Sequence, residues 1–333
     1  MSTAFASRLL RWHRQHGRHD LPWQHPRSPY RVWLSEVVLQ QTQVATVIPY
    51  FQRFVARFAD LRSLAAADQD EVLSLWSGLG YYARARNLLR CAQLLHSEHG
   101  GEFPQDPRLL ETLPGIGRST ANAIVAQSYG SRWPILDGNV KRVLARHAGI
   151  SGWPGRSEVS AQLWAIAEQR TPQTELANYT QAIMDLGASC CRLRKPNCEA
   201  CPVAEDCVAR MDGRIAELPT ARPKRERPRR IQYLQIWTVN GEILLQRRPP
   251  SGIWGGLWCP PLHEAADQVQ GRPLPVLQHA FTHFELELRP HLAPASNELG
   301  DVESRWFSIE AALDQGLPAP IRRLLHTLDL EIP

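Results

Sequence analysis

Four cysteines, Cys191, Cys198, Cys201 and Cys207, fall within seventeen residues, with six, two and five residues between successive members. Clustering of this kind belongs to metal binding rather than to a disulfide framework. Four thiolates suit either a zinc ion or a [4Fe–4S] cluster. Zinc ribbons usually bring two CxxC knuckles, and only one stands here. Glu36 sits in the apolar run VWLSEVVL, where a helix gives it Val32, Trp33, Leu39 and Gln40 as neighbours. Burial among them favours the neutral acid, so its pKa should rise toward the range a general acid needs. A solvent-facing glutamate near the start of the chain is the plain alternative. Asp137, in ILDGNV, stands just before a helical run and by itself reads as a helix N-cap. The turn Leu113-Pro114-Gly115-Ile116-Gly117 opens another helix, and its paired glycines let the chain turn tightly and expose N–H groups that can hold a phosphate. Many such turns need glycine for steric reasons only.

The elements that must position these groups are helical up to about residue 210, with apolar positions recurring every three or four residues. Ala85, Leu88, Leu89, Ala92 and Leu95 form one stripe opposite Arg84, Arg86, Arg90 and Gln93, and Gly100-Gly101 ends that helix. Similar stripes cover 28–41, 44–58, 68–76, 118–129, 139–148, 157–169 and 175–190, giving an all-α domain of about ten helices over residues 1–214. Residues 215–230 read as a linker, because Pro219, Pro223 and Pro228 forbid a continuous helix and RPKRERPRR carries like charges that keep the chain extended. From 231 to 333 the period changes. Asn240-Gly241 between two β-rich runs is the turn of a type I′ hairpin. HAFTHFELELRP reads as a further strand with Thr282, Phe284, Leu286 and Leu288 on one face, and Pro320 to Leu328 as a closing helix. The second domain is thus α+β.

With 333 residues, 43% of them apolar, the chain can bury the cores of two domains. No run of about eighteen uncharged apolar residues and no signal-peptide core is seen, so no membrane is involved and a cytoplasmic, intracellular location is expected. A net charge of +5 favours a polyanionic partner only modestly. A monomer is expected, since no oligomerisation stripe is evident.

Several of these segments resemble one family. The cysteine spacing resembles the cluster loop of the endonuclease III superfamily, and the Leu113–Gly117 turn followed by Arg118-Ser119-Thr120-Ala121 resembles the helix-hairpin-helix of DNA repair glycosylases. SEVVLQQTQVATVIPYF is similar over its whole length to the signature of MutY-type adenine DNA glycosylases. The resemblance implies a helix-hairpin-helix glycosylase fold with a [4Fe–4S] cluster on Cys191, Cys198, Cys201 and Cys207, Cys191 rather than Cys190 giving the six-residue gap. It implies double-stranded DNA containing adenine opposite 8-oxoguanine or guanine as partner and substrate in base excision repair. Glu36 would protonate adenine at N7, and Asp137, held ionised, would support the positive charge on the sugar. Gly115, Gly117 and Ser119 would meet DNA, Gln41 and Tyr81 would insert near the lesion, and Trp23 and Gln181 would line the adenine pocket by stacking and hydrogen bonding.

Bifunctional relatives use a lysine amine where Ser119 stands, and a hydroxyl cannot form their Schiff base, so the reaction should stop at base release. Residues 231–333 resemble a Nudix-like C-terminal domain. HEAADQVQG lacks the carboxylates that hold magnesium in a Nudix box, so pyrophosphate hydrolysis is disfavoured. Phe281, Thr282 and His283 match the element with which the family inspects 8-oxoguanine, Thr standing for the commoner Ser. Two other readings compete: a glycosylase/lyase, against which Ser119 argues, and a non-enzymatic iron–sulfur DNA-binding protein.

Overall fold

The computed structural model describes residues 2–223, 226–295 and 303–328, and these gather into two compact units. Residues 2–65 and 90–223 form one. Residues 66–89, read from the sequence as part of the helical domain, group instead with the C-terminal residues to form the other.

The first unit is built from helices, including Pro29–Leu39, Val44–Arg57, Arg118–Tyr129, Gly138–His147, Ser157–Arg170 and Leu176–Asp185. Their ends follow local chemistry. Ser28 caps Pro29–Leu39 by accepting the Arg31 N–H, and Pro29 occupies the first turn, where a missing N–H costs nothing. Gly130, at φ 66°, closes Arg118–Tyr129 in the left-handed conformation. A core of Phe5, Leu9, Val140, Leu144, Leu163, Ala182, Ile183 and Leu186 ties the first helix to those that follow Asp137. The 175–190 stripe is not one uniform α-helix. Leu186–Cys190 forms a π turn in which the Cys191 N–H donates to the Leu186 carbonyl at 2.7 Å. Gly187 lets this turn approach Gly138–His147, since a Cβ there would stand 2.5 Å from Asn139 Cβ.

The segment read as an extended linker begins packed: Leu218 is buried and its carbonyl accepts from Arg146 Nε at 2.7 Å. Its last two residues are already strand, because the first strand runs Arg229–Val239.

Among its described residues the second unit carries an eight-stranded mixed sheet. Arg229–Val239 pairs antiparallel with Glu242–Arg247 through Asn240-Gly241, both at positive φ, as the I′ turn demands. It also pairs in parallel with Glu285–Pro294, from Arg229 opposite Glu285 to Thr238 opposite Pro294. The closing helix runs Ala319–Thr327 and buries Ile321, Leu324 and Leu325. HAFTHFELELRP is not one strand: Leu277–Ala280 and Glu285–Pro294 form a hairpin with Phe281–Phe284 as its loop. Leu286 and Leu288 are buried as expected, but Thr282 and His283 project from the loop into solvent. Where a Nudix box would place its glutamate-bearing helix, residues 266–268 make one 3-10 turn. Among the described residues no helix is long and apolar enough to cross a membrane.

Candidate active site and cysteine cavity

A solvent-open cleft of about 990 Å³ in the helical unit is lined by Trp23, Glu36, Gln41, Ser119, Asp137 and Gln181, six residues singled out from the sequence. Glu36 reaches it from Pro29–Leu39, whose other side chains, Val32, Trp33, Leu34, Val37 and Val38, are buried. Burial pushes the Glu36 pKa up to about 8; the negative charge of Asp137 adds to the rise, and Gln127 offsets a little of it. Gln127 Nε2 lies 3.5 Å from Glu36 Oε1, a long contact. The acid is therefore protonated around neutral pH.

Asp137 is the N-cap of Gly138–His147, accepting the Val140 N–H at 2.7 Å. The cap alone does not set its ionisation. Burial outweighs the N–H bonds from Val140 and Asn139 and moves its pKa above the ordinary aspartate value. Two desolvated carboxyls now share one cleft, and both have their pKa values pushed upward. Ser119 stands behind this arrangement, its Oγ accepting the Leu136 N–H at 2.9 Å and so fixing the strand of chain that delivers Asp137.

Trp23 is buried edge-on to Phe51, with ring centroids 5.4 Å apart. Gln181 donates from Nε2 to Asp185 Oδ1 at 2.8 Å. Among the described residues, Gln41 and Tyr81 are two of six non-glycine residues at positive φ, 58° and 50°, a conformation that costs energy and turns a side chain out of the regular run. Gln41 is at the cleft, whereas Tyr81, half exposed, belongs to the second unit and is not among the residues lining it. Of the two hairpin glycines only Gly115, at φ 80°, needs to be glycine for its backbone. Gly117 is extended, and a Cβ there would meet nothing, so it caps Arg118–Tyr129 with open space beside the free N–H groups.

The sequence reading missed Arg18, Gln127, Asn139 and Arg142, which also line the cleft. Nothing in their spacing marks them as one group, because Arg18 comes from a loop, Gln127 from Arg118–Tyr129, and Asn139 and Arg142 from Gly138–His147. Among the residues lining the cleft there is no lysine.

A separate small cavity of about 20 Å³ is lined by Cys191, Cys198, Cys201 and Cys207, with Cys190 beside them. Arg146, itself buried, donates to Cys191 Sγ at 3.4 Å and to the Arg192 and Leu193 carbonyls at 2.7 and 3.0 Å. Cys190 Sγ instead donates to the Asn197 carbonyl at 3.1 Å. Burial raises the Cys191 and Cys207 thiols above the usual range. Among the described residues no group of three or more His, Cys, Asp or Glu is gathered as a site for a metal ion. The donor set fits a multi-iron cluster: four thiols around one cavity, with a buried guanidinium to offset the charge of thiolates.

In the second unit, Phe281 stacks on Phe284 with centroids 4.5 Å apart and meets the His279 ring edge-on at 4.6 Å. Thr282 Oγ1 lies 3.3 Å from His283 Nδ1. The loop closes through the Phe281 N–H donating to the Phe284 carbonyl at 2.9 Å.

Residues 34–169 match the HhH-GPD superfamily of base excision DNA repair proteins, and residues 232–327 match the NUDIX domain. The chain is 36% identical to the adenine DNA glycosylase of Buchnera aphidicola subsp. Acyrthosiphon pisum, covering 98% of each. It is 34% identical to that of Homo sapiens, covering 85% of this chain and 66% of the human one. Among solved structures it is similar to a thermostable thymine-DNA glycosylase, at TM-score 0.58 and 26% identity over 63% of this chain and 97% of that one. A non-covalent endonuclease III–DNA complex matches at TM-score 0.53 and 22% identity over 64% of this chain and 98% of that one, a likeness of fold.

Proposed function

The chain belongs to the adenine DNA glycosylases of the HhH-GPD base excision repair superfamily, and from that premise we propose that it hydrolyses the N-glycosidic bond of adenine mispaired with 8-oxoguanine or guanine in duplex DNA. The observation that carries this reading is a protonated Glu36 sharing one cleft with Asp137.

Extrusion of adenine from the stack costs a few kcal/mol, which contacts from Gln41 and Tyr81 offset. Trp23 stacks on the extruded base and Gln181 hydrogen-bonds it. Glu36 passes its proton to N7. The C1′–N9 bond then breaks, its electron pair leaving with the now neutral base, and the Asp137 charge stabilises the cationic sugar. Water adds at C1′ and loses a proton to the Glu36 carboxylate, which returns the acid to its starting state. With Ser119 engaged by the Leu136 N–H and no lysine among the residues lining the cleft, no amine attacks the sugar. Gly115, Gly117 and the first N–H groups of Arg118–Tyr129 hold a backbone phosphate.

Cys191, Cys198, Cys201 and Cys207 would hold a [4Fe–4S] cluster, which when bound fixes the shape of the loop carrying Arg192, Arg194 and Lys195 toward DNA. Phe281, Thr282 and His283 read the 8-oxoguanine left in the helix. The protein acts inside the cell as a monomer. The helical glycosylase domain spans 1–214 and the recognition domain 231–333, joined through 215–230.

The deciding assay uses a duplex with adenine opposite 8-oxoguanine, its products run before and after hot alkali. Strand breaks only after alkali are expected. Breaks without alkali would replace this reading with a lyase, and none in either lane would leave a DNA-binding protein.

A further inference from the structure

Asp185 is almost wholly buried at the end of Leu176–Asp185, yet it carries more bonds than any cap requires. Its Oδ1 accepts from Gln181 Nε2 at 2.8 Å and from Arg18 Nε and Nη2 at 2.8 and 2.6 Å. Its Oδ2 accepts the Arg18 backbone N–H at 2.8 Å, and His13 Nε2 lies 3.3 Å away. Burial alone would raise the pKa of this carboxyl, but the contacts with His13 and Arg18 reverse that and bring it below the ordinary value. Asp185 is thus a buried anion whose oxygens only accept.

An amide side chain can turn either end toward its partner, and its partner decides which. A carboxylate leaves Gln181 no choice: the NH₂ end faces Asp185, and Oε1 is the end left for the cleft that Gln181 lines. An acceptor at that point suits a base bearing an exocyclic amine and opposes one bearing a carbonyl at the same position. We propose that Asp185 is a positioning residue that sets the polarity of the base pocket, holding Gln181 as an acceptor so that 6-aminopurines are taken and 6-oxopurines refused. Arg18 serves the same end by keeping Asp185 charged and by closing the cleft wall beside it. This rests on the glycosylase reading above.

The test compares single-turnover release of adenine and of hypoxanthine opposite 8-oxoguanine by the full chain. Hypoxanthine keeps N7 for Glu36 and carries a carbonyl in place of the 6-amino group, with N1 protonated as a consequence. With Asp185→Asn the amide of residue 181 is free to flip, and the adenine-to-hypoxanthine rate ratio should fall about tenfold, the value of one hydrogen bond to a base. In a Gln181→Met background Asp185→Asn should leave that ratio unmoved, because the position through which it acts is gone. A merely structural role predicts equal loss on both bases, with the ratio intact and the same effect in either background; that result overturns the proposal. Should Asp185→Asn fail to fold, Gln181→Met alone decides, since an unchanged ratio there also refutes it. If the unaltered protein releases no adenine, it is the glycosylase reading that has failed. If it releases adenine and only the ratio tests fail, that reading stands and this one falls.

Discussion

Replacing Glu36 by Gln keeps the shape of the side chain and removes its proton, and two measurements should answer together. A general acid of this kind contributes roughly a hundred- to ten-thousand-fold in rate, so E36Q should release adenine at least about a hundred times more slowly while still binding the mispaired duplex. The wild-type single-turnover rate should fall as pH rises through about 8, where the acid is lost, and the residual E36Q rate should lack that limb. Stability supplies the second measurement. The Glu36 pKa rises from an ordinary 4.5 to about 8 on folding, so the folded state holds the proton more tightly than the unfolded state does. The wild type therefore loses stability relative to E36Q as pH climbs from 4.5 to 8, and nothing further above it. At about 1.4 kcal/mol per pH unit the full loss is on the order of 5 kcal/mol, reduced in practice by water reaching the carboxyl through the open cleft. The melting temperature of E36Q minus that of wild type should thus grow steadily from pH 5 to pH 8 and then level off. A difference that stays constant across that range, or a wild-type rate flat from pH 7 to 9, would refute the assignment of Glu36 as a buried acid.

Asp137→Asn should keep the helix cap and lose the charge, whereas Asp137→Ala loses both; thermal melts should place the alanine variant about 1 kcal/mol below the asparagine one. The asparagine variant should also move the alkaline limb of the residual rate to lower pH, because the charge that helps raise the Glu36 pKa is gone. Serine at Cys191, Cys198, Cys201 or Cys207 should lower bound iron per chain, while Cys190→Ser, whose thiol is turned to the Asn197 carbonyl, should retain it; equal iron in all five would overturn the ligand assignment. His283→Ala should narrow the preference for 8-oxoguanine over guanine opposite adenine, measured as the ratio of single-turnover rates, and equal loss on both duplexes would count against the recognition loop.

Much of the site was legible because its chemistry is written locally. The cysteine spacing, the apolar setting of Glu36, the cap at Asp137 and the Asn-Gly hairpin each depend on residues within a turn or two, and the structure keeps each of these local features. Periodicity also gave the helices, since an apolar stripe has the same meaning whatever it packs against. What the sequence left open depends on residues far apart. Only the fold brings Glu36 and Asp137, a hundred residues distant, into one desolvated cleft, and burial then reverses the direction expected for Asp137 from its cap alone. The loop at Phe281–Phe284 read as strand because its β-rich alternation continues through the turn, and only pairing across the hairpin locates the bend. The grouping of residues 66–89 with the C-terminal unit, and the web of Arg18, Gln181 and Asp185, are likewise decided by contacts between segments that no local period encodes. Sequence by itself determined which side chains are proposed to carry the chemistry; tertiary structure decided their protonation and orientation, because desolvation and partner choice arise only once distant segments close around them.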